Sequence, residues 1–268
     1  MTQGVLLFAQ NNNEIDYVQL AIFAATRIKK FLNRPVSVIT NIEFADPIFD
    51  KIIVVDDDVE NPKQFKDGVD KVVKGQWRNT TRSKCFELSP YDETLVIDVD
   101  YVVNSDKLHH CWEQPRDFLI YKESYDIGYW RQHSEFEYVS DNSIPFYWAT
   151  VFFFRKTPEN EIFFTLVEHI KEHWAYYKLA YSIYSPTFRN DIAFSVAVHM
   201  MNGYCQGNFA GSLPGKLHYI FDFDYLVEMK DSAMKFLVQK DSHYICLKTN
   251  SLDMHVMNKY SLLRCIND

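Results

Sequence analysis

Two carboxylates two residues apart, Asp98 and Asp100, end the strongest strand pattern in the chain, Thr94-Leu95-Val96-Ile97-Asp98-Val99-Asp100-Tyr101-Val102-Val103. An extended chain alternates its side chains, so both acids would face one side at the carboxyl edge of a sheet. Like charges so placed need a cation beside them. A hard divalent ion such as Mn²⁺ or Mg²⁺ prefers oxygen ligands and takes phosphate oxygens as further ligands, so it satisfies the pair better than water does. On spacing alone a plainer role weighs equally: the two acids leave a strand and cap the next turn. The flanking Val and Ile residues favour the site, because in a central strand an unpaired charge is costly.

Holding such a pair takes a buried parallel sheet, and the first half of the chain spells one out. Residues 4–9, 36–40, 52–55 and 94–99 are short apolar runs that read as strands. Between the first two, Val18, Ala21, Ile22, Ala25, Ile28, Phe31 and Leu32 recur at helical steps, stopped by Asn33 and Pro35. A helix is expected over 76–88 and a further strand over 148–154. Thr157-Pro158 opens another helix, with Ile162, Phe163, Leu166, Val167, Ile170 and Trp174 as its buried stripe, and one more starts near Asn190-Asp191. Residues 107–146 show no period and read as an irregular insertion outside the parallel core. The expectation is one α/β domain over 1–268, with a nucleotide-binding half (1–106) and an acceptor and catalytic half (107–268).

The end of a first parallel strand is where such sheets bind nucleotides, which marks Ala9, Gln10, Asn12 and Tyr17 as candidate contacts. Asn11 to Asn13 serve equally as a helix cap. A net charge of −8 argues against general nucleic-acid binding, which needs a basic footprint. The five cysteines are scattered and without a C-x-x-C pair, so neither a disulfide framework nor a structural zinc site is suggested. His109-His110-Cys111 lacks partners at zinc spacing, and Asp56-Asp57-Asp58 reads as an acidic turn that could touch a ribose. No signal peptide or membrane span is expected, and the protein is placed in the cytoplasm. No G-x-G-x-x-G, Walker A or G-x-S-x-G motif is present.

Around the acidic pair the sequence resembles the GT-A glycosyltransferases, most nearly the retaining branch of glycogenin-like and bacterial galactosyltransferase-like enzymes. The resemblance covers most of the chain as an order of elements. It implies a mostly parallel Rossmann-like sheet flanked by helices, with Asp98 and Asp100 on metal and sugar nucleotide. Arg82, near Arg78 and Lys84, falls where the family reaches the donor. Trp148-Ala149-Thr150-Val151 looks like the strand lining the donor sugar, and Arg189-Asn190-Asp191-Ile192 like the helix start beside the anomeric carbon, which gives Asn190 and Asp191 a catalytic role. Met254-His255-Val256-Met257-Asn258-Lys259 looks like the C-terminal His motif, with His255 as third metal ligand and Lys259 on the diphosphate. The chain departs from the pattern at Trp148, Thr150, Arg189 and Asn258, and Lys259 sits two residues closer to the histidine. A weaker likeness is to glycosyltransferase-like chains of large tailed phages, which would work in a host cytoplasm.

The resemblance therefore implies a Mn²⁺- or Mg²⁺-dependent, retaining transfer of a sugar from a nucleoside diphosphate donor, a UDP-sugar first, with Arg82, Lys84 and Lys259 as phosphate contacts. The acceptor stays open among glycan, protein, small molecule and modified DNA base. A nucleotidyltransferase acting on a sugar phosphate and a binding module without turnover are the alternatives. Tyr129, Trp130 and the stretch 176–186 are expected to shape the acceptor side.

Overall fold

Strands that read as unbroken apolar runs must be covered on both faces, and the computed structural model, which describes residues 1–56, 61–131, 136–141 and 143–267, shows how. β1 (Gln3–Ala9), α1 (Tyr17–Leu32), β2 (Val36–Thr40) and β3 (Lys51–Val54) come first, followed by a hairpin of β4 (Pro62–Asp67) and β5 (Lys71–Gln76). A 3-10 turn (Asn79–Lys84) leads through α2 (Cys85–Leu88) into β6 (Glu93–Asp98), β7 (Tyr101–Val102), β8 (Phe118–Tyr121), β9 (Ser124–Asp126) and β10 (Trp148–Arg155). Then come α3 (Pro158–Glu172), α4 (Trp174–Ala180), α5 (Asn190–Met201), β11 (Gly211–Ser212), β12 (Leu217–Ile220), β13 (Tyr225–Lys230), β14 (Ala233–Lys240), β15 (His243–Asn250), β16 (Met254–Val256) and α6 (Lys259–Asn267).

The central sheet runs β11-β8-β10-β6-β1-β2-β3. β1 pairs in parallel with β2 and β6, and only β10 runs against its neighbours. The chain is thus a mixed α/β fold with a mostly parallel sheet. Local chemistry starts and stops its helices. Asp16 caps α1 by accepting from Gln19 N at 3.0 Å, and Asn33 ends it in the left-handed region at φ 48°. Thr157 caps α3, and Pro158 occupies its first position.

Three expectations need correction. Residues 107–146 are not outside the core: Phe118 to Tyr121 are four consecutive buried residues forming β8, too short a run to reveal a period. The helix over 76–88 is a 3-10 turn plus one turn of α2, since Thr80, Thr81 and Ser83 are weak helix formers. On α3, Ile162 is 56% exposed, and Phe163 and Phe164 take the buried face among the aromatic rings of Phe118, Phe152 and Phe194.

Two smaller sheets carry the C-terminal half, β7-β16-β12-β9 and β13-β14-β15. Arg131 fastens them together. It forks onto Asp126 with two 2.6 Å bonds and onto Asp224 with bonds of 2.8 and 2.9 Å, while Asp224 also accepts from Gln239 N and Phe221 N. Both carboxylates are buried and the guanidinium nearly so, so removing the cation strands two buried acids. Arg131→Met is expected to lose about 3–5 kcal/mol in chemical denaturation. Arg131→Lys should recover only part of it, because an ammonium cannot make both forks.

The hairpin is docked on α6 by Arg264, which gives Asp67 two bonds of 2.8 Å. That hydrogen bonding outweighs burial and holds the Asp67 carboxyl below its usual range. A depressed acid contributes stability that is present above its unfolded value of about 4 and lost as pH falls through the folded one. The difference in Tm between wild type and Asp67→Asn should accordingly be present at pH 7 and shrink toward zero below about pH 4.

Candidate functional site

β6 ends at Asp98, Val99 and Asp100 make a turn, and the chain passes at Tyr101 into the second sheet. The two carboxylates are therefore set by a turn and not, as alternation suggested, by one extended strand. β16 pairs antiparallel with β7, placing His255 opposite Tyr101, and Val256 N donates to Asp100 O at 2.9 Å. This pairing brings His255 Nε2 to 3.4 Å from Asp100 Oδ2 and Lys259 Nζ to 2.6 Å from the same oxygen. Ligand atoms of Asp98, Asp100 and His255 all lie within 4.8 Å of one another. Arg82, 2% exposed, pairs with Asp98 and donates to the Ala149 carbonyl.

Burial pushes both acids up, but with different results. For Asp100, Lys259 and His255 together outweigh it and hold the carboxyl well below the usual range. For Asp98, burial and the adjacent Asp100 prevail over Arg82 and the carboxyl rises. Asp98 keeps about a fifth of its side-chain surface, so the charge of Asp100 carries more of that rise than burial alone suggests. Lys259, buried against Asp100, is held above the usual lysine value despite its burial.

A cleft of about 400 Å³ opens over these groups. Its wall includes Gln10, Tyr17, Arg82, Asp98, Asp100, Asn190, Asp191, His255 and Lys259, all singled out from the sequence. Three others are not in it. Ala9 is fully buried inside β1, paired with Thr40. Asn12 is spent locally, donating to Gln76 O at 2.6 Å and accepting from Glu14 N and Ile15 N. Lys84 is exposed, two residues beyond Arg82 on a three-residue turn and hence on another face. Asp57 and Asp58 lie outside the described residues.

The aromatic wall expected from Tyr129 and Trp130 is also elsewhere. Tyr129 is 71% exposed, and Trp130 donates to Gln239 O at 3.2 Å against β14. From that stretch Phe136 reaches the cleft, and Thr187, Phe188 and Arg189 reach it before α5. Asp191 has both oxygens engaged, one by Ala149 N at 2.8 Å and one by Arg189 at 3.2 Å. Arg78, noted beside Arg82 in the sequence, lines the cleft as well, together with Lys63 and Trp77, which the sequence did not mark. The Asp67-Gly68 turn was the signal for the hairpin that carries Lys63, since the flanking segments are too polar to read as strands.

Whether an ion suits this site is a question of donors. Two carboxylates and an imidazole converge, the mixed oxygen and nitrogen set that Mn²⁺ accepts. The His255 Nδ1 and Tyr17 hydroxyl are buried without a hydrogen-bond partner among the described residues, the mark of a polar site built for something further. The residues fit a divalent cation.

No family model and no curated protein matches the chain. Solved structures do share its arrangement of elements. The galactosyltransferase LgtC in complex with donor and acceptor sugar analogs is similar at 14% identity and a TM-score of 0.45, over 73% of this chain and 70% of that one. The glycosyltransferase GlyE of Streptococcus pneumoniae TIGR4 is similar at 11% identity and a TM-score of 0.44, over 80% of this chain and 45% of that one. A Bacillus anthracis protein classed as a glucose-1-phosphate thymidylyltransferase, with sucrose bound, gives 9% identity and a TM-score of 0.45 over 99% and 94%. At scores this low, a shared arrangement of elements says nothing about chemistry.

Asp100→Asn removes the central charge of the donor set while nearly keeping its shape. Mn²⁺ affinity, read by electron paramagnetic resonance, should fall by about tenfold or more, since ligand charge dominates binding of hard cations. The variant should also melt earlier, because Lys259 is left buried without its partner.

Proposed function

We propose that the cleft binds a nucleoside diphosphate sugar, a UDP-sugar first, together with a divalent ion, and transfers the sugar to a hydroxyl acceptor. The observation that carries this reading is the meeting of Asp98, Asp100 and His255 within 4.8 Å, beside Lys259 and Arg82, in one cleft of a chain whose net charge is −8. Cations are concentrated there against the trend of the whole molecule, as a site for a diphosphate requires. A Mn²⁺ or Mg²⁺ ion held by Asp98, Asp100 and His255 would supply Lewis-acid stabilisation to the leaving diphosphate.

The chain's own groups supply the rest. Lys259, at the first position of α6, adds its ammonium to the positive end of that helix, and both neutralise phosphate. Arg82, anchored on Asp98 and Ala149 O, presents a fixed cation at the floor. Gln10 and Tyr17, at the end of β1 and the start of α1, stand where a nucleoside would lie. Asn190 and Asp191 line the cleft where α5 begins. Asp191, with both oxygens engaged, holds β10 and Arg189 in place; Asn190 is the residue we assign to the reacting carbon. Transfer with retention belongs to this reading and is decided by the anomeric configuration of the product.

A panel of nucleotide sugars incubated with the protein and Mn²⁺ tests the proposal. The expected result is slow release of UDP from a UDP-sugar, abolished by EDTA and by His255→Ala. Release of pyrophosphate from a sugar phosphate and nucleoside triphosphate would assign nucleotidyl transfer instead. Donor binding with no turnover, whatever acceptor is added, would leave a binding module.

A further inference from the structure

The hairpin of β4 and β5 is no part of the central sheet, yet it forms one wall of the cleft. Its placement is specified from outside that wall. Arg264 and Asn258 hold Asp67, the Tyr225 hydroxyl donates to Asp67 O at 3.3 Å, and Gly68 N donates to Asp222 O at 3.1 Å. Gly68 has φ +78°, and a Cβ there would fall 1.5 Å from the Tyr225 hydroxyl, so turn and dock admit little but glycine. A hairpin fixed so closely presents its side chains to the cleft at set positions.

One of these is Lys63. Three of the cleft's cations have carboxylate partners: Arg82 has Asp98, Lys259 has Asp100 and Arg189 has Asp191. Lys63 makes no ion pair among the described residues, and its ammonium stands 5.6 Å from the Trp77 ring centre and 5.8 Å from that of Phe65. We infer that Lys63 is a further phosphate-binding residue, contacting the diphosphate of the bound nucleotide from the hairpin wall while Lys259 contacts it from α6. This rests on the diphosphate reading of the cleft.

The electrostatics agree. Burial, then Lys259 and Arg189, push the Lys63 ammonium down to about 8, more than Asp100 and Asp222 offset. As a residue Lys63 keeps exposed surface, so solvent relieves part of the burial and like-charge crowding is the firmer cause. Cations that repel one another across a cleft are relieved together by one multivalent anion, through charge-assisted hydrogen bonds to each.

The test is calorimetric titration of the full-length protein with inorganic pyrophosphate at fixed Mn²⁺. Lys63→Gln is expected to weaken binding by about tenfold, the usual size for one charge-assisted hydrogen bond, and Lys63→Arg to restore most of it. Arg264→Gln, which loosens the hairpin's dock, should weaken pyrophosphate binding in the wild type and add little on top of Lys63→Gln. Wild-type affinity in Lys63→Gln, with a loss in Lys259→Gln, would overturn the inference and leave the diphosphate reading standing. A Lys63→Gln protein that melts earlier but binds normally would show that the lysine only packs on Trp77 and overturn it too. Absence of any pyrophosphate binding by the wild type would overturn both.

Discussion

The short antiparallel pairing of β16 with β7 is the contact on which the cleft depends. It is small, Met254 opposite Val102 and His255 opposite Tyr101, with Val256 N bonded to Asp100 O. Yet it brings a histidine and a lysine from near the C-terminus to a carboxylate that has just left the central sheet. Without it Asp100 would be a buried acid without a partner, which is costly, and the turn after β6 would have no reason to hold its shape. The apolar core supplies the rigidity: β6 lies between β1 and β10, so Asp98 emerges from the best-buried part of the molecule.

The charges above that floor are balanced and poised rather than simply neutral. Asp98 and Asp100 are pushed in opposite directions, one raised by burial and its neighbour, the other held down by Lys259 and His255. A pair of acids so separated is a common sign of a working site, although structural ion-pair networks also produce it. On the reading proposed above, the convergence of an imidazole whose Nδ1 has no partner among the described residues, and of surrounding cations, favours the first case.

How much of this could be read in advance follows from whether the signal was local. β1, α1, β2, α3 and α5 were legible because each carries its own run, stripe or cap: Asn33 and Pro35 after α1, Thr157-Pro158 before α3. β6 and its acids were legible for the same reason, but the turn at Val99 was not, since nothing in Asp-Val-Asp separates a continuing strand from a bend. β8 was hidden by its brevity. The position of His255 has no local signal at all, because it is set by pairing between segments far apart in the chain; only the resemblance of its motif pointed to it. Lys63 has no such signal: its hairpin carries an Asp-Gly turn, but its strands are polar and lie outside the central sheet.

The departure at Asn258 has a physical account that links these parts. Its Oδ1 accepts from Ser261 N at 3.0 Å, which makes it the cap of α6 and fixes Lys259 as the first helical residue. Its Nδ2 donates to Asp224 O at 2.8 Å and to Asp67 at 3.4 Å. Asp224 is also the acid that Arg131 forks onto, and Asp67 is the one that Arg264 holds. One buried amide thus ties the fastening of the smaller sheets, the dock of the hairpin and the start of α6. A glycine there could satisfy the backbone but none of these bonds. The two lysines we assign to phosphate, Lys63 on the hairpin and Lys259 on the helix, are held in register through Asn258, so a change at this position should disturb both walls of the cleft at once.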